Sequence, residues 1–288
     1  MTWFFLSLLT ALCVAVRDTS VKIFCRNLSL QEIAAFELFW SLPFLVIGCL
    51  FIKIPVLDQT FWWTFLLSLP INWLAYILYL QSLKLSPLSL TVPFLAFTPL
   101  FILLTGALVL DETVNSWGMT GVGLIVGGSY LLNFSDLKKG ILEPFRSILR
   151  EKGSLLMLGV AFIFSFAAVV GKKSMIHSSP LFFTFFFFLI FNITLLTGLF
   201  LFKQANWSTV MRNRKKGLLL GSLLTTHVAC HGLAIMLTTA VYMIAVKRSS
   251  ILFSIILSSL ILKETNFASR SMGALLMFCG ALFITLFG

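Results

Sequence analysis

Leu110-Asp111-Glu112-Thr113-Val114-Asn115 returns 152 residues later as Leu262-Lys263-Glu264-Thr265-Asn266-Phe267, with leucine, glutamate and threonine in register. The same offset carries Gly121 to Gly273 and Gly128 to Gly280, and an offset of 150 pairs Lys22 with Lys172. Glycines and glutamates recur by chance in apolar sequences. Matches at one offset, set among apolar runs of equal length, argue instead for duplication of one unit.

The runs around these markers fall at about 3–24, 32–52, 60–82, 87–110, 116–133, 154–176, 180–202, 217–236, 239–262 and 269–287. Each is near the roughly 20 residues that cross a bilayer as a helix. Lipid offers the backbone no hydrogen-bond partner, so continuous apolar runs read as helices despite their β-branched and aromatic residues. A β-barrel would instead show short alternating segments. The chain is 59% hydrophobic and 11% charged, against about 25% charged residues in soluble domains, so a large soluble domain has no place in it. The 31 phenylalanines suit lipid-facing and packed surfaces. Met1 to Val16 lacks a basic start and a small-residue cleavage site, and is read as the beginning of the first span rather than a signal peptide.

The predicted fold class is therefore an all-α polytopic membrane protein. Ten transmembrane helices form two five-helix repeats around a central cavity. An odd number of crossings per repeat makes the two halves face opposite ways, an arrangement that places a substrate site near mid-membrane between them. The predicted divisions are 1–133 for the first repeat, 134–153 for a basic linker and 154–288 for the second repeat. Within the linker Ile141, Leu142, Phe145, Ile148 and Leu149 recur at helical spacing beside five basic residues, as in a helix lying in the interface plane. A second basic connection runs from Lys203 to Gly217.

Charges inside the spans are the candidate functional residues. Lys247 and Arg248 fall near the middle of the ninth run, which is expected to be one helix. A central lysine or arginine costs about 2.5–3.5 kcal/mol on insertion scales. Two adjacent ones need water, a carboxylate or an anionic ligand. Either they line the cavity and attract a substrate carboxylate or phosphate, or protein carboxylates pair with them permanently. Asp18, beside Arg17, and Glu37 are the carboxylates in reach. They are assigned to charge balance or coupling with Arg17, and proton coupling would require one of them to be desolvated. Asn72, Tyr76 and Tyr79 share one face of the third helix. His227 and His231 stand one turn apart in the eighth. The histidine spacing occurs among zinc ligands, but no acidic or cysteine cluster accompanies it, so these five are assigned to the cavity lining and no metal is expected. Pro87, Pro93 and Pro99 all fall in the fourth run and imply a kinked helix.

At this point the chain resembles the drug/metabolite transporter superfamily, specifically its ten-helix members with two EamA repeats. The residues that carry the likeness are Ser86-Pro87-Leu88-Ser89-Leu90-Thr91-Val92-Pro93 leading to Thr98-Pro99, with Glu112, Gly121 and Gly128. In the second half they are Val246-Lys247-Arg248-Ser249-Ser250, Lys263-Glu264, Gly273 and Gly280. The resemblance implies a bundle of five plus five inverted helices and transport, usually export, of small metabolites such as amino acids. Members often carry an arginine in the second helix near where this chain has Glu37, so that role does not transfer.

The expected function is gradient-driven secondary transport of a small polar metabolite, such as an amino acid or organic anion, by alternating access. No Walker loop, GxSxG or HExxH is present, and neither an enzyme nor a cofactor is expected. The competing classes are a membrane-embedded enzyme acting on lipid and a non-transporting membrane subunit. Expected partners are the small-molecule substrate and the lipid bilayer, with no nucleic acid; a homodimer is left open. Five cysteines without a CxxC pair read as packing residues. The location is the inner or plasma membrane. Basic residues at the boundaries number 15 after odd-numbered runs and three after even-numbered runs. The positive-inside rule then puts both termini outside, whereas the resemblance puts them in the cytoplasm.

Overall fold

A computed structural model describes residues 1–25, 27–86, 91–132, 152–262 and 267–288. The described residues form helices joined by short connections, with no strand among them. The first half contains α1 (Thr2–Phe24), α2 (Leu30–Phe51), α3 (Gln59–Leu85), a 3-10 turn (Val92–Phe97) running into α4 (Thr98–Leu110), and α5 (Ser116–Leu132). The second contains α6 (Lys152–Ile176), α7 (Pro180–Leu201), a short α8 (Trp207–Arg212), α9 (Arg214–Met236), α10 (Ala240–Lys247), α11 (Ser250–Leu262) and α12 (Phe267–Phe287). Among the described residues six helices, α1, α2, α3, α6, α7 and α9, are long and apolar enough to cross a membrane.

Polar side chains set the helix starts. At α2 the Ser29 hydroxyl accepts from the Glu32 N–H while the Glu32 carboxylate accepts from the Ser29 N–H at 2.8 Å, a reciprocal cap. Ser179 caps α7, with Pro180 at a position whose missing N–H costs nothing. Thr239 caps α10. Asp58 caps α3 by accepting from the Phe61 N–H at 2.7 Å, and its other oxygen meets His177 Nδ1, just past α6, at 2.6 Å.

The Phe61 amide and the His177 ring hold the Asp58 carboxyl below the usual carboxylate range. A depressed folded value contributes stability above the unfolded pKa, and that stability is lost as pH falls through the folded value. Asn caps a helix about as well as Asp, so Asp58→Asn removes the charge and keeps the cap. The expected result is a wild-type melting temperature above that of Asp58→Asn at neutral pH, with the gap closing as pH drops below about 4. A gap independent of pH would show that the charge contributes nothing.

Two runs depart from the expected continuous helices. In the fourth, Pro93 lies within the 3-10 turn and Pro99 in the first turn of α4, so the run is broken rather than kinked; Pro87 lies outside the described residues. In the ninth, the ladder tightens where the two cations sit. The Arg248 N–H lies 3.2 Å from Ile244 O and 3.0 Å from Ala245 O, and the Ser249 N–H donates to Val246 O at 3.0 Å. The i→i−3 bonds to Ala245 O and Val246 O end α10, and α11 restarts at Ser250. The two outer fragments, Thr98–Leu110 and Ser250–Leu262, have 13 residues each and are related by the offset of the duplication. The Lys203–Gly217 connection is also more ordered than expected, since it contains α8 and the first turn of α9. The expected interface helix of the linker lies outside the described residues.

Helix packing repeats the duplication. The order α1, α2, α3, α4, α5 corresponds to α6, α7, α9, α10–α11, α12. The α3–α6 contact is thus equivalent to α9–α1, and α4–α6 to the packing of α10 and α11 on α1; all are present. The contacts α2–α7 and α5–α12 are their own equivalents. The α5–α12 seam is made by the repeated glycines. A Cβ on Gly121 would lie 2.8 Å from Gly280 O, and one on Gly128 would lie 2.6 Å from Gly273 O. Rising numbers on α5 meet falling numbers on α12, so the two helices are antiparallel, as oppositely directed halves require. At α2–α7, the Asn192 amide donates to Ser41 Oγ at 2.8 Å and to Leu38 O at 3.3 Å. Phe65 of α3 stacks on Phe186 of α7 at 5.2 Å, and Phe61 and Phe187 complete a largely buried aromatic block.

Candidate functional site

The breaks in the fourth and ninth runs meet. The Arg248 guanidinium, at the end of α10, donates to Thr98 Oγ1, at the start of α4, over 2.8 Å. Lys247 Nζ lies 3.4 Å from His231 Nδ1 on α9. His227 sits one turn earlier with ring centroids 6.4 Å apart. Among the described residues neither ring nitrogen of His227 has a hydrogen-bond partner, and the same is true of Arg248 Nε.

The carboxylates are held elsewhere. Arg17 of α1 binds Asp18 at 2.8 Å and reaches Glu37 of α2 at 3.4 Å. Among the described residues no carboxylate lies within 4.0 Å of Lys247 or Arg248. The five charged groups nevertheless form one cluster: Lys247 is in electrostatic reach of Arg248, Arg17 and Asp18. Tyr79 of α3 is in reach of Asp18, Arg17, Glu37 and Arg248. Three cations thus face two carboxylates. Lys247, Arg248, His227, His231, Arg17 and Glu37 are all partly buried and Asp18 is exposed, while Glu37 Oε1, both His227 ring nitrogens and Arg248 Nε are themselves buried.

The three polar residues of α3 separate in their contacts. Tyr79 and Tyr76 both lie in electrostatic reach of Arg17 and Glu37, and the Tyr76 ring packs edge-on against Phe191 at 6.1 Å. The Asn72 amide is spent on Ser68 O of its own helix, at 2.8 Å. No group of three or more His, Cys, Asp or Glu among the described residues could hold a metal ion.

Two features lay outside the sequence reading of the site. One is Thr98, whose only signal was the Thr-Pro pair after a proline-rich run. The other is an ion pair at one end of the bundle, where Lys172 Nζ of α6 meets Glu112 Oε1 and Thr238 O, each at 2.5 Å. The second Glu112 oxygen accepts from the Ala240 N–H at 2.8 Å. The sequence marks Glu112 through the repeat and the family resemblance and Lys172 through the repeat, but pairs neither with the other.

A helical bundle with two equivalent halves, paired helix breaks and a charge cluster between them defines the class of polytopic membrane transporters built from repeats. The EamA-like transporter family matches residues 1–134 and residues 151–286, one match per half, and the chain belongs to that family. It is accordingly a multi-pass membrane protein and a transporter of the drug/metabolite type, a family of transporters rather than enzymes. A solved structure described only as the crystal structure of a protein has the same fold, with a TM-score of 0.77 over 99% of this chain and 97% of that one, at 13% identity. No curated protein matches the chain.

Proposed function

We propose that the chain is a gradient-driven secondary transporter, working by alternating access, that exports a small polar metabolite carrying an anionic group. The observation that carries this reading is the pair of cations at the α10–α11 break, without a carboxylate partner among the described residues. A substrate carboxylate would supply the missing partner. It would also lie beside Thr98, whose hydroxyl accepts from Arg248 and donates to Leu95 O at 2.7 Å. An amino group on the same substrate would find Asp18 and Glu37, making an amino acid the simplest fit and an organic anion the next. Tyr76, Tyr79, His227 and His231 would line the path, with Asn72 further along α3. Arg17, Asp18 and Glu37 balance charge and offer the groups on which a coupling ion could act. The bias of basic residues places both termini outside the inner or plasma membrane, and a C-terminal reporter active only in the cytoplasm tests that orientation.

The decisive measurement is flux in proteoliposomes across amino acids, nucleotides and organic anions. For whichever solute moves, Lys247→Ala and Arg248→Ala should each lower flux by about tenfold or more, since a charge-assisted hydrogen bond contributes about 1.5–3 kcal/mol. Wild-type flux in both variants would remove the cations from the transport path.

A further inference from the structure

A second basic site lies away from the charge cluster, where the end of α1 meets α8 and the start of α9. A cavity of about 640 Å³ opens there. Its polar wall is Asn27, Thr209, Arg212 and Asn213, and its apolar wall is Ile23, Phe24 and Leu28. Val210 is fully buried and the Trp40 indole N–H donates to Val210 O at 3.0 Å, so α8 is fixed in place. Thr209 and Arg212, three residues apart, are therefore presented to the cavity together. Asn213 precedes α9 but its side chain makes no capping bond, which leaves its amide to a ligand.

The surroundings are cationic and unneutralised. Arg212, Arg214, Lys215 and Lys216 are all exposed, and among the described residues none has a carboxylate within 4.0 Å. Glu32 of α2 is occupied with Ser29. Lys216 Nζ instead rests 5.1 Å above the Phe24 ring. Cations crowd the first turn of α9, the end at which a helix favours negative charge, so a bound anion would relieve the crowding.

We propose that this cavity binds the phosphate-bearing headgroup of an anionic membrane lipid. Arg212 donates in fork geometry to the phosphate, Asn27, Asn213 and Thr209 add neutral donors, and an acyl chain lies along Ile23 and Met211, which are 44% and 49% exposed. A lipid is favoured over a soluble phosphate because half the wall is apolar. Trp207, packed between Phe39 and Phe200, also marks this level as the membrane interface, where aromatic residues collect. Basic pockets between helices at such a boundary are known headgroup sites.

The test is binding and thermal melting of the purified full chain with phosphatidylglycerol, phosphatidylcholine or inorganic phosphate. Phosphatidylglycerol should bind and raise the melting temperature. Arg212→Gln should weaken that binding about fivefold, and Asn213→Ala should weaken it less. Arg212 is exposed, so both variants are expected to fold. Equal effects of the two lipids, or undiminished phosphatidylglycerol binding in both variants, would overturn the site. Inorganic phosphate stabilising as well as the lipid would overturn the lipid assignment.

Discussion

Glutamine in place of Glu112 should destabilise the folded chain by about 3–5 kcal/mol, the cost of removing one member of a buried ion pair. The carboxylate serves two groups at once, the Lys172 ammonium and the backbone N–H of Ala240. Side-chain exposures of 9% for Lys172 and 11% for Glu112 leave little water to replace it. After the substitution Lys172 keeps Thr238 O but has no counter-charge in contact. Since the pair joins the end of α4, α6 and the start of α10, its loss should loosen both halves at one end. Thermal melting in detergent reads the effect. Adding Lys172→Met should recover much of the loss, because a buried pair can be replaced by apolar groups at little cost although its halves cannot be removed singly. A Glu112→Gln variant that melts with the wild type would show that the pair holds nothing together.

Alanine at Gly128 or Gly280 should be nearly as damaging. The new Cβ would lie 2.6 Å from a backbone carbonyl across the seam, that of Gly273 or Gly121, and a backbone atom cannot turn aside as a side chain can. Overpacking of this kind costs about 1–3 kcal/mol or more. Gly123 and Gly127 provide the control within α5, since a Cβ at either meets nothing within 4 Å. Alanine there should be neutral or stabilising by up to about 1 kcal/mol, because alanine favours the helix. Folded yields after detergent extraction, compared across the four variants, check the contrast. Equal behaviour at all four positions would mean that α5 and α12 do not touch as described.

The fold was legible because its signals are local or periodic. Span-length apolar runs and the repeated glutamate and glycine markers are visible in one dimension. The glycines at 121, 128, 273 and 280 repeat because they build both sides of one seam, so the sequence match was already a statement about contact. The break at Arg248 left no such trace. Proline marks the equivalent break in the first half, but Val246 to Ser250 contains neither proline nor glycine, and hydropathy does not register a change from i→i−4 to i→i−3 bonding. Pairings in the site were hidden for a different reason. Arg248 finds Thr98 across 150 residues, and Arg17, rather than Lys247 or Arg248, holds Glu37. Composition names the charges available, but only the helix arrangement selects partners among them.

The glycine seam has a consequence for motion. Let the two halves trade shapes: the α3–α6 contact becomes α9–α1 and the reverse, while α5 against α12 maps onto itself. The glycine seam, like the α2–α7 contact, is therefore the same before and after such an exchange.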